Sequence, residues 1–190
     1  MKIVGLAGRP GSGKSAVARR LAKEAGFAWI DLDRVAWETY APGAESYAPV
    51  IERFGRDVVA GDGSIDRPKL AVRVFLEAGA REDLEAIVHP AVCSRLRSIA
   101  DAHRQRGTRT LLVEGALLTT SPHVDRGLFD AILWFDAPDA VREGRLRVAG
   151  RVDHVTRGED VAPGERSIRV DADGTIDEVV QRVRAAIDAL

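Results

Sequence analysis

Apolar residues fall along this chain in two alternating patterns. Short, nearly continuous apolar runs occupy residues 2–7 (Lys-Ile-Val-Gly-Leu-Ala), 27–31, 110–114 and 131–135. Runs of this length predict strands covered on both faces, as in a parallel sheet. A weaker run, Ser167-Ile168-Arg169-Val170, predicts a fifth strand. Between them the apolar period lengthens to that of a helix. From Lys14 to about Ala25, Val17, Ala18, Leu21, Ala22 and Ala25 share one side, with Gly26 suited to cap the end. Residues 34–105 read as mostly helical, interrupted by a turn at Gly61-Asp62-Gly63-Ser64. Asp66-Arg67-Pro68 then opens a new helix, with Pro68 suited to its first position. Residues 139–148 predict another helix. The segment 175–190 predicts a last one, with Ile176, Val179, Val180, Val183 and Ile187 on its apolar side. Strands separated by helices predict an α/β fold: a parallel five-stranded sheet flanked by helices. The stretch between the second and third strands reads as a helical insertion. Residues 149–166 are polar, Arg-rich and broken by Gly and Pro, and read as a loop or lid.

The loop after the first strand carries the most specific chemistry. Gly8-Arg9-Pro10-Gly11-Ser12-Gly13-Lys14-Ser15 fits G-x-x-x-x-G-K-[ST] in full, with a strand before it and a helix beginning inside it. Glycines there let backbone N–H groups turn inward around a phosphate, and the helix N-terminus adds favourable partial charge. Lys14 is placed to reach the β- and γ-phosphates, and the Ser15 hydroxyl to ligate Mg²⁺. A chance Gly-rich turn is disfavoured by composition. Of 28 Lys and Arg only Lys2, Lys14, Lys23 and Lys69 are lysine, and one stands at the required position.

The bulk properties narrow the partners. The chain has 190 residues, 45% of them hydrophobic, enough for one domain carrying an inserted lid. A net charge of −1 offers no global attraction to nucleic acid or to a membrane surface. Phosphate binding is therefore local. The single Cys93 excludes an internal disulfide and a multi-Cys metal site, and reads as a buried structural thiol in a reducing compartment. The apolar start is too short for a signal peptide, and no run reaches the length needed to span a bilayer. A soluble cytoplasmic protein is expected, without nucleic-acid or membrane partners.

A phosphate loop serves GTPases, ATPases and small-molecule kinases alike. No separate Asp-x-x-Gly switch follows the third strand, and no Asn-Lys-x-Asp guanine motif occurs. Instead Asp31 and Asp33 stand at the end of the second strand, where side chains of an open parallel sheet face the ligand crevice. A carboxylate there can take a proton from a substrate hydroxyl or hold Mg²⁺ through water. Asp33 can equally serve as the N-cap of the helical run that follows.

A family resemblance begins here. Gly5-Leu6-Ala7-Gly8, running into Gly11-Ser12-Gly13-Lys14-Ser15 and then Asp31-Leu32-Asp33, resembles the start of a dephospho-CoA kinase. The resemblance extends through Val50-Ile51-Glu52-Arg53-Phe54-Gly55 and Gly61 to Leu70. It continues through Val74-Phe75 and Leu84-Glu85-Ala86-Ile87-Val88-His89-Pro90, and covers about residues 2–145. Members transfer the γ-phosphate of ATP to the 3′-hydroxyl of the dephospho-CoA ribose, the last step of CoA synthesis. The resemblance implies Mg²⁺ with ATP as donor, and ATP and dephospho-CoA as the small-molecule partners of a monomer or weak oligomer. It implies Gly8, Gly11, Ser12, Gly13, Lys14, Ser15 and Ala16 as the ATP-binding residues. It makes Asp33 the catalytic base beside Lys14 and Arg145, with Arg67, Phe75 and His89 on the acceptor side. Asp31 or Glu114 would support the metal through water. Phe75 can instead be a core contact, Arg67 can hold Asp66 and the insertion in place, and His89 can cap or orient the next helix.

The expected organisation is a core of 1–33 and 107–190, a CoA-side insertion of about 34–106 and a lid of about 146–166. The sequence departs from the family late. The lid arm is short, breaking at Gly150, Gly158 and Pro163-Gly164, and an expected asparagine is absent from Val170-Asp171-Ala172-Asp173-Gly174. Arg145 best matches the lid arginine and Arg151 follows it. Arg142 and Arg147 read as an exposed helix face, and Arg157 lies further along the loop. The alternatives are a nucleoside or nucleotide kinase, disfavoured by the 50–90 block, or a P-loop protein that binds without catalysis.

Overall fold

The computed structural model describes residues 1–115, 118–122, 124–151 and 161–190. The chain forms two compact units, Met1–Asp31 with Ala100–Leu190, and Leu32–Ile99.

The first unit is built on a parallel sheet of β1 (Lys2–Ala7), β2 (Phe27–Asp31), β3 (Thr110–Glu114), β4 (Ala131–Asp136) and β5 (Ser167–Asp171), in the order β2-β3-β1-β4-β5. The earliest strand thus lies in the middle, pairing from Lys2↔Thr110 on one side and from Val4↔Ala131 on the other. Its neighbours lead the chain to opposite sides. The crevice at such a reversal, at the C-terminal end of β1, is where open α/β sheets take their ligands. One face of the sheet is covered by α1 (Lys14–Leu21) and α7 (Ile176–Asp188). Val4, Leu6, Leu112, Leu133 and Phe135 of the strands are buried there against Val17, Leu21, Val180, Val183 and Ile187. α7 begins with a reciprocal cap. The Thr175 hydroxyl accepts from the Glu178 backbone N–H, and the Glu178 carboxylate accepts from that of Thr175. That second bond holds the Glu178 carboxyl below its usual range.

Helix α1 stops earlier than its apolar pattern suggests. It is capped at Ala22, and the Glu24 and Phe27 N–H groups close tight three-residue turns on the Leu21 and Glu24 carbonyls. Gly26 therefore caps no helix but makes the turn into β2. Its φ is +87°, and a Cβ there would stand 2.3 Å from Arg109 Nε.

The second unit contains α2 (Leu32–Thr39), α3 (Tyr47–Phe54), α4 (Arg67–Leu76) and α5 (Ala80–Gln105), the last continuing past the unit's boundary. Tyr40, Val50, Phe54, Val58, Ile65, Leu70, Ala80 and Val88 form its own core. Asp66 caps α4 by accepting from the Lys69 N–H, which makes Arg67 the first helical residue and puts Pro68 second. α5 runs unbroken through His89-Pro90, so no new helix begins there for His89 to cap. Cys93 is half-buried rather than buried. No helix among the described residues is long and apolar enough to cross a membrane.

Candidate active site

The loop between β1 and α1 is closely fitted. Gly8 has φ +146°, and a Cβ there would meet the Phe135 carbonyl at 2.8 Å. Gly11 has φ +78° and would meet the Arg142 carbonyl at 2.5 Å. Gly13, at φ +95°, is the N-cap of α1. Neither conformation nor space admits a side chain at Gly8 or Gly11. Lys14 Nζ folds back into the loop, donating to the carbonyls of Gly8 (2.7 Å) and Arg9 (3.2 Å) and to Ser12 Oγ (3.3 Å). Ser12 is buried. The ammonium and the N-terminus of α1 thus meet at one hollow suited to an anion, although the Ala16 N–H already donates to the Gly13 carbonyl.

Beside this hollow Ser15 Oγ donates to Glu114 Oε1 at 2.5 Å. The second oxygen of Glu114 is buried with no hydrogen-bond partner among the described residues. A buried carboxylate oxygen without a partner is costly, so an acceptor with spare capacity here marks a place for a water or cation. Asp31 pairs in register with Glu114, which places the two carboxylates on the same face of adjacent strand ends. A hydroxyl with one or two carboxylates is the kind of donor set Mg²⁺ uses when phosphates supply the rest.

Two arginines of α6 (Asp139–Val148) hold this loop. Arg142 is buried, at 7% exposure. Its Nη1 donates to the Pro10 carbonyl at 2.9 Å, and its Nε and Nη2 to Asp139. The expectation of an exposed charged face fails here because Arg142 lies one turn before buried Leu146 and so points inward. That i,i+4 spacing was the available signal. The bonded guanidinium draws the exposed Asp139 carboxyl below its usual range. Arg145 donates to the carbonyls of Ser12 (3.3 Å), Ala172 (3.0 Å) and Gly174 (3.2 Å), joining the phosphate loop to the segment after β5. Arg151 follows α6 and is exposed. Part of the expected lid, Arg157 included, lies in 152–160, outside the described residues.

The other site residues belong to the second unit. Asp33 is the second residue of α2, so it is not the cap of that helix. It stands in the first turn, where the helix dipole favours a negative charge. Trp37 follows one turn on, with the Arg67 guanidinium 3.9 Å from its ring centroid. Burial raises the Tyr40 phenol to about 12, against an opposing pull from the Arg67 charge and with a further push from that of Asp33. Asp33, Trp37, Tyr40 and Arg67 therefore form one neighbourhood. Sequence reading named Asp33 and Arg67 but missed Trp37 and Tyr40, although the i, i+4, i+7 spacing from Asp33 was there to be read. Phe75 is 87% exposed on α4, which removes the core reading for it. His89 is half-buried in the middle of α5.

A parallel sheet with β1 at its centre, a glycine loop closed on a lysine and a serine–carboxylate pair define a P-loop kinase. The model of the dephospho-CoA kinase family matches residues 2–155, and the chain belongs to that family. It is 36% identical to the dephospho-CoA kinase of Streptomyces avermitilis over 96% of this chain and 91% of that protein. It is also 36% identical to the one from Moorella thermoacetica, over 98% and 91%. Among solved structures, TT1252 from Thermus thermophilus superposes with a TM-score of 0.77 at 27% identity, over 99% of this chain and 96% of that one. A shikimate kinase from Bacteroides thetaiotaomicron shares the fold alone, with a TM-score of 0.56 at 16% identity over 98% of both chains.

Proposed function

We infer that this protein phosphorylates the 3′-hydroxyl of dephospho-CoA with ATP, giving CoA and ADP. Family membership supplies the substrates. The observation that carries the chemistry is the Ser15–Glu114 pair beside Lys14, a ready site for phosphate and cation together.

Gly8, Gly11, Ser12, Gly13, Lys14, Ser15 and Ala16 bind the phosphates of ATP, with Lys14 at the β/γ end. Ser15 and Glu114 would hold Mg²⁺, with Asp31 assisting through water, and the bound ion would supply neutralising charge to the phosphates. Asp33 takes the proton from the acceptor hydroxyl. The oxygen so activated forms a bond to the γ-phosphorus, the bond from that phosphorus to the β-phosphate oxygen breaks, and ADP leaves with the electron pair. Arg145, already fixed against the loop at Ser12, contributes charge to the migrating phosphoryl group, and Arg151 assists. Arg67, Phe75 and His89 bind the acceptor. The enzyme works in the cytoplasm.

Purified protein with Mg·ATP and a panel of acceptors tests this reading by ADP release and mass analysis of the product. Turnover is expected with dephospho-CoA and not with free nucleosides at equal concentration. Faster turnover of a nucleoside or nucleotide would reassign the acceptor. ATP binding without turnover of any acceptor would make the protein a nucleotide sensor.

A further inference from the structure

The chain has three tryptophans, and the sheet accounts for two of them. Trp134 is buried in β4, and Trp29 lies half-buried in β2 with its indole nitrogen enclosed. Trp37 differs: it is 44% exposed on a helix surface. An indole shown to water forgoes the stabilisation that burial gives the other two. The Arg67 guanidinium lies over its ring, near enough for a cation–π stack.

The position of this stack is specific. Trp37 is four residues after Asp33, and Tyr40 three further, so the three occupy one side of α2 and its end. One helical turn, about 5.4 Å, separates the carboxylate from the indole along the axis. A ribose holds its 3′-hydroxyl and its base a comparable span apart. An acceptor whose hydroxyl lies at Asp33 therefore brings its base to the level of Trp37. Tyr40, kept neutral by burial, adds no charge to this side of the helix.

We propose that Trp37, with Arg67 laid on it, is the stacking platform that receives the purine base of the acceptor while its ribose hydroxyl is at Asp33. The proposal rests on the reading of Asp33 as the base. It makes the pair a specificity element: an acceptor ending in a nucleoside gains the stack, and one without a base does not. Stacking of a base on an aromatic side chain is worth roughly tenfold to a hundredfold in affinity. Trp37→Ala should therefore raise the KM for dephospho-CoA by about that factor. Trp37→Phe should recover most of the loss. Arg67→Lys keeps the charge and loses the planar surface, and should raise the same KM about threefold. The KM for ATP should stay within about twofold in all three, which a general folding defect would not allow.

Two arms complete the test. With the donor site saturated by a non-hydrolysable ATP analogue, adenosine should quench the tryptophan emission of the unmodified protein and leave that of Trp37→Phe unchanged. Adenosine, AMP and dephospho-CoA should all bind Trp37→Ala more weakly by a similar factor. An unchanged acceptor KM in Trp37→Ala overturns the platform, as does a loss shared equally by ATP. Weakening confined to the phosphate-bearing ligands also overturns it, because the pair would then read phosphate. Absence of dephospho-CoA turnover in the unmodified enzyme overturns the functional reading instead, and the adenosine quench is scored apart from it.

Discussion

In the unit formed by Met1–Asp31 and Ala100–Leu190, the groups around Lys14 are enclosed. Carbonyls stand where any Cβ of Gly8 or Gly11 would have to go, and Arg142 reaches Pro10 from a buried position. In Leu32–Ile99 most of the candidate residues are exposed, Asp33, Trp37, Arg67 and Phe75 among them, while His89 is half-buried. On the proposed reading the donor side is backbone held in one geometry. The acceptor side is mostly side-chain surface, with Tyr40 tying it to the unit's core. Preorganised dipoles act at full strength because they need not reorient when charge moves. Exposed side chains recognise a molecule by the area they cover as it settles. Charge handling belongs to the first unit on this view, and choice of substrate to the second.

The largest effect should come from the enclosed side. Lys14→Ala removes the cation at the β/γ-phosphates and should lower kcat/KM by about a thousandfold or more. The thermal midpoint should move little, because the Lys14 bonds to Gly8, Arg9 and Ser12 stay within its own loop. Near-normal turnover would break the assignment of charge to this unit. Asp33→Asn comes next. It keeps the size and loses the proton acceptor, so transfer should fall by about a hundred- to ten-thousandfold. Calorimetric affinity for Mg·ATP should survive. If that affinity falls too, Asp33 belongs to the donor side and the comparison collapses at its central residue.

Arg145→Lys is a finer probe. Lysine keeps the charge but cannot span the carbonyls of Ser12, Ala172 and Gly174, so kcat should fall about tenfold to a hundredfold. Arg151→Lys should do less, and steady-state kinetics on the pair decides where the transition-state charge resides. The smallest effect is expected at Tyr40. Its raised value means that folding favours the neutral phenol. The resulting stability is whole below the ordinary phenol value of 10.0 and is lost as pH climbs towards about 12. Tyr40→Phe should leave turnover within about twofold. It should also abolish the late step in an alkaline absorbance titration and flatten the dependence of urea midpoint on pH across that window.

The order of strands and helices could be read because each element announces itself within a few neighbouring residues. A continuous run such as Leu111-Leu112-Val113 has no other way to be buried, and eight consecutive residues carry the phosphate loop. Legibility failed where meaning depends on long-range packing. Arg142 looks like any charged residue of α6 until Pro10, far away in sequence, is placed beside it. The Trp37–Arg67 stack joins residues of α2 and α4, with α3 between them in sequence. Phe75 carries the apolar character of a core residue yet stands outside the core, and local sequence cannot tell these states apart. The end of α1 was missed because a tight three-residue turn needs no glycine at the helix terminus.

The position of β1 bears on how the chain comes into being. Its first partner on one side is Thr110 and on the other Ala131, so the strand made first waits for both while the ribosome works on. Synthesis proceeds at roughly 5–20 residues per second, which leaves an apolar strand and its glycine loop without a sheet for several seconds. The Leu32–Ile99 unit has its own core and is complete before β3 emerges, so it can fold ahead of the sheet. A nascent chain halted once residue 105 has cleared the exit tunnel should then protect its helical segment from protease while retaining no nucleotide. One halted after β4 has cleared the exit tunnel should begin to retain it.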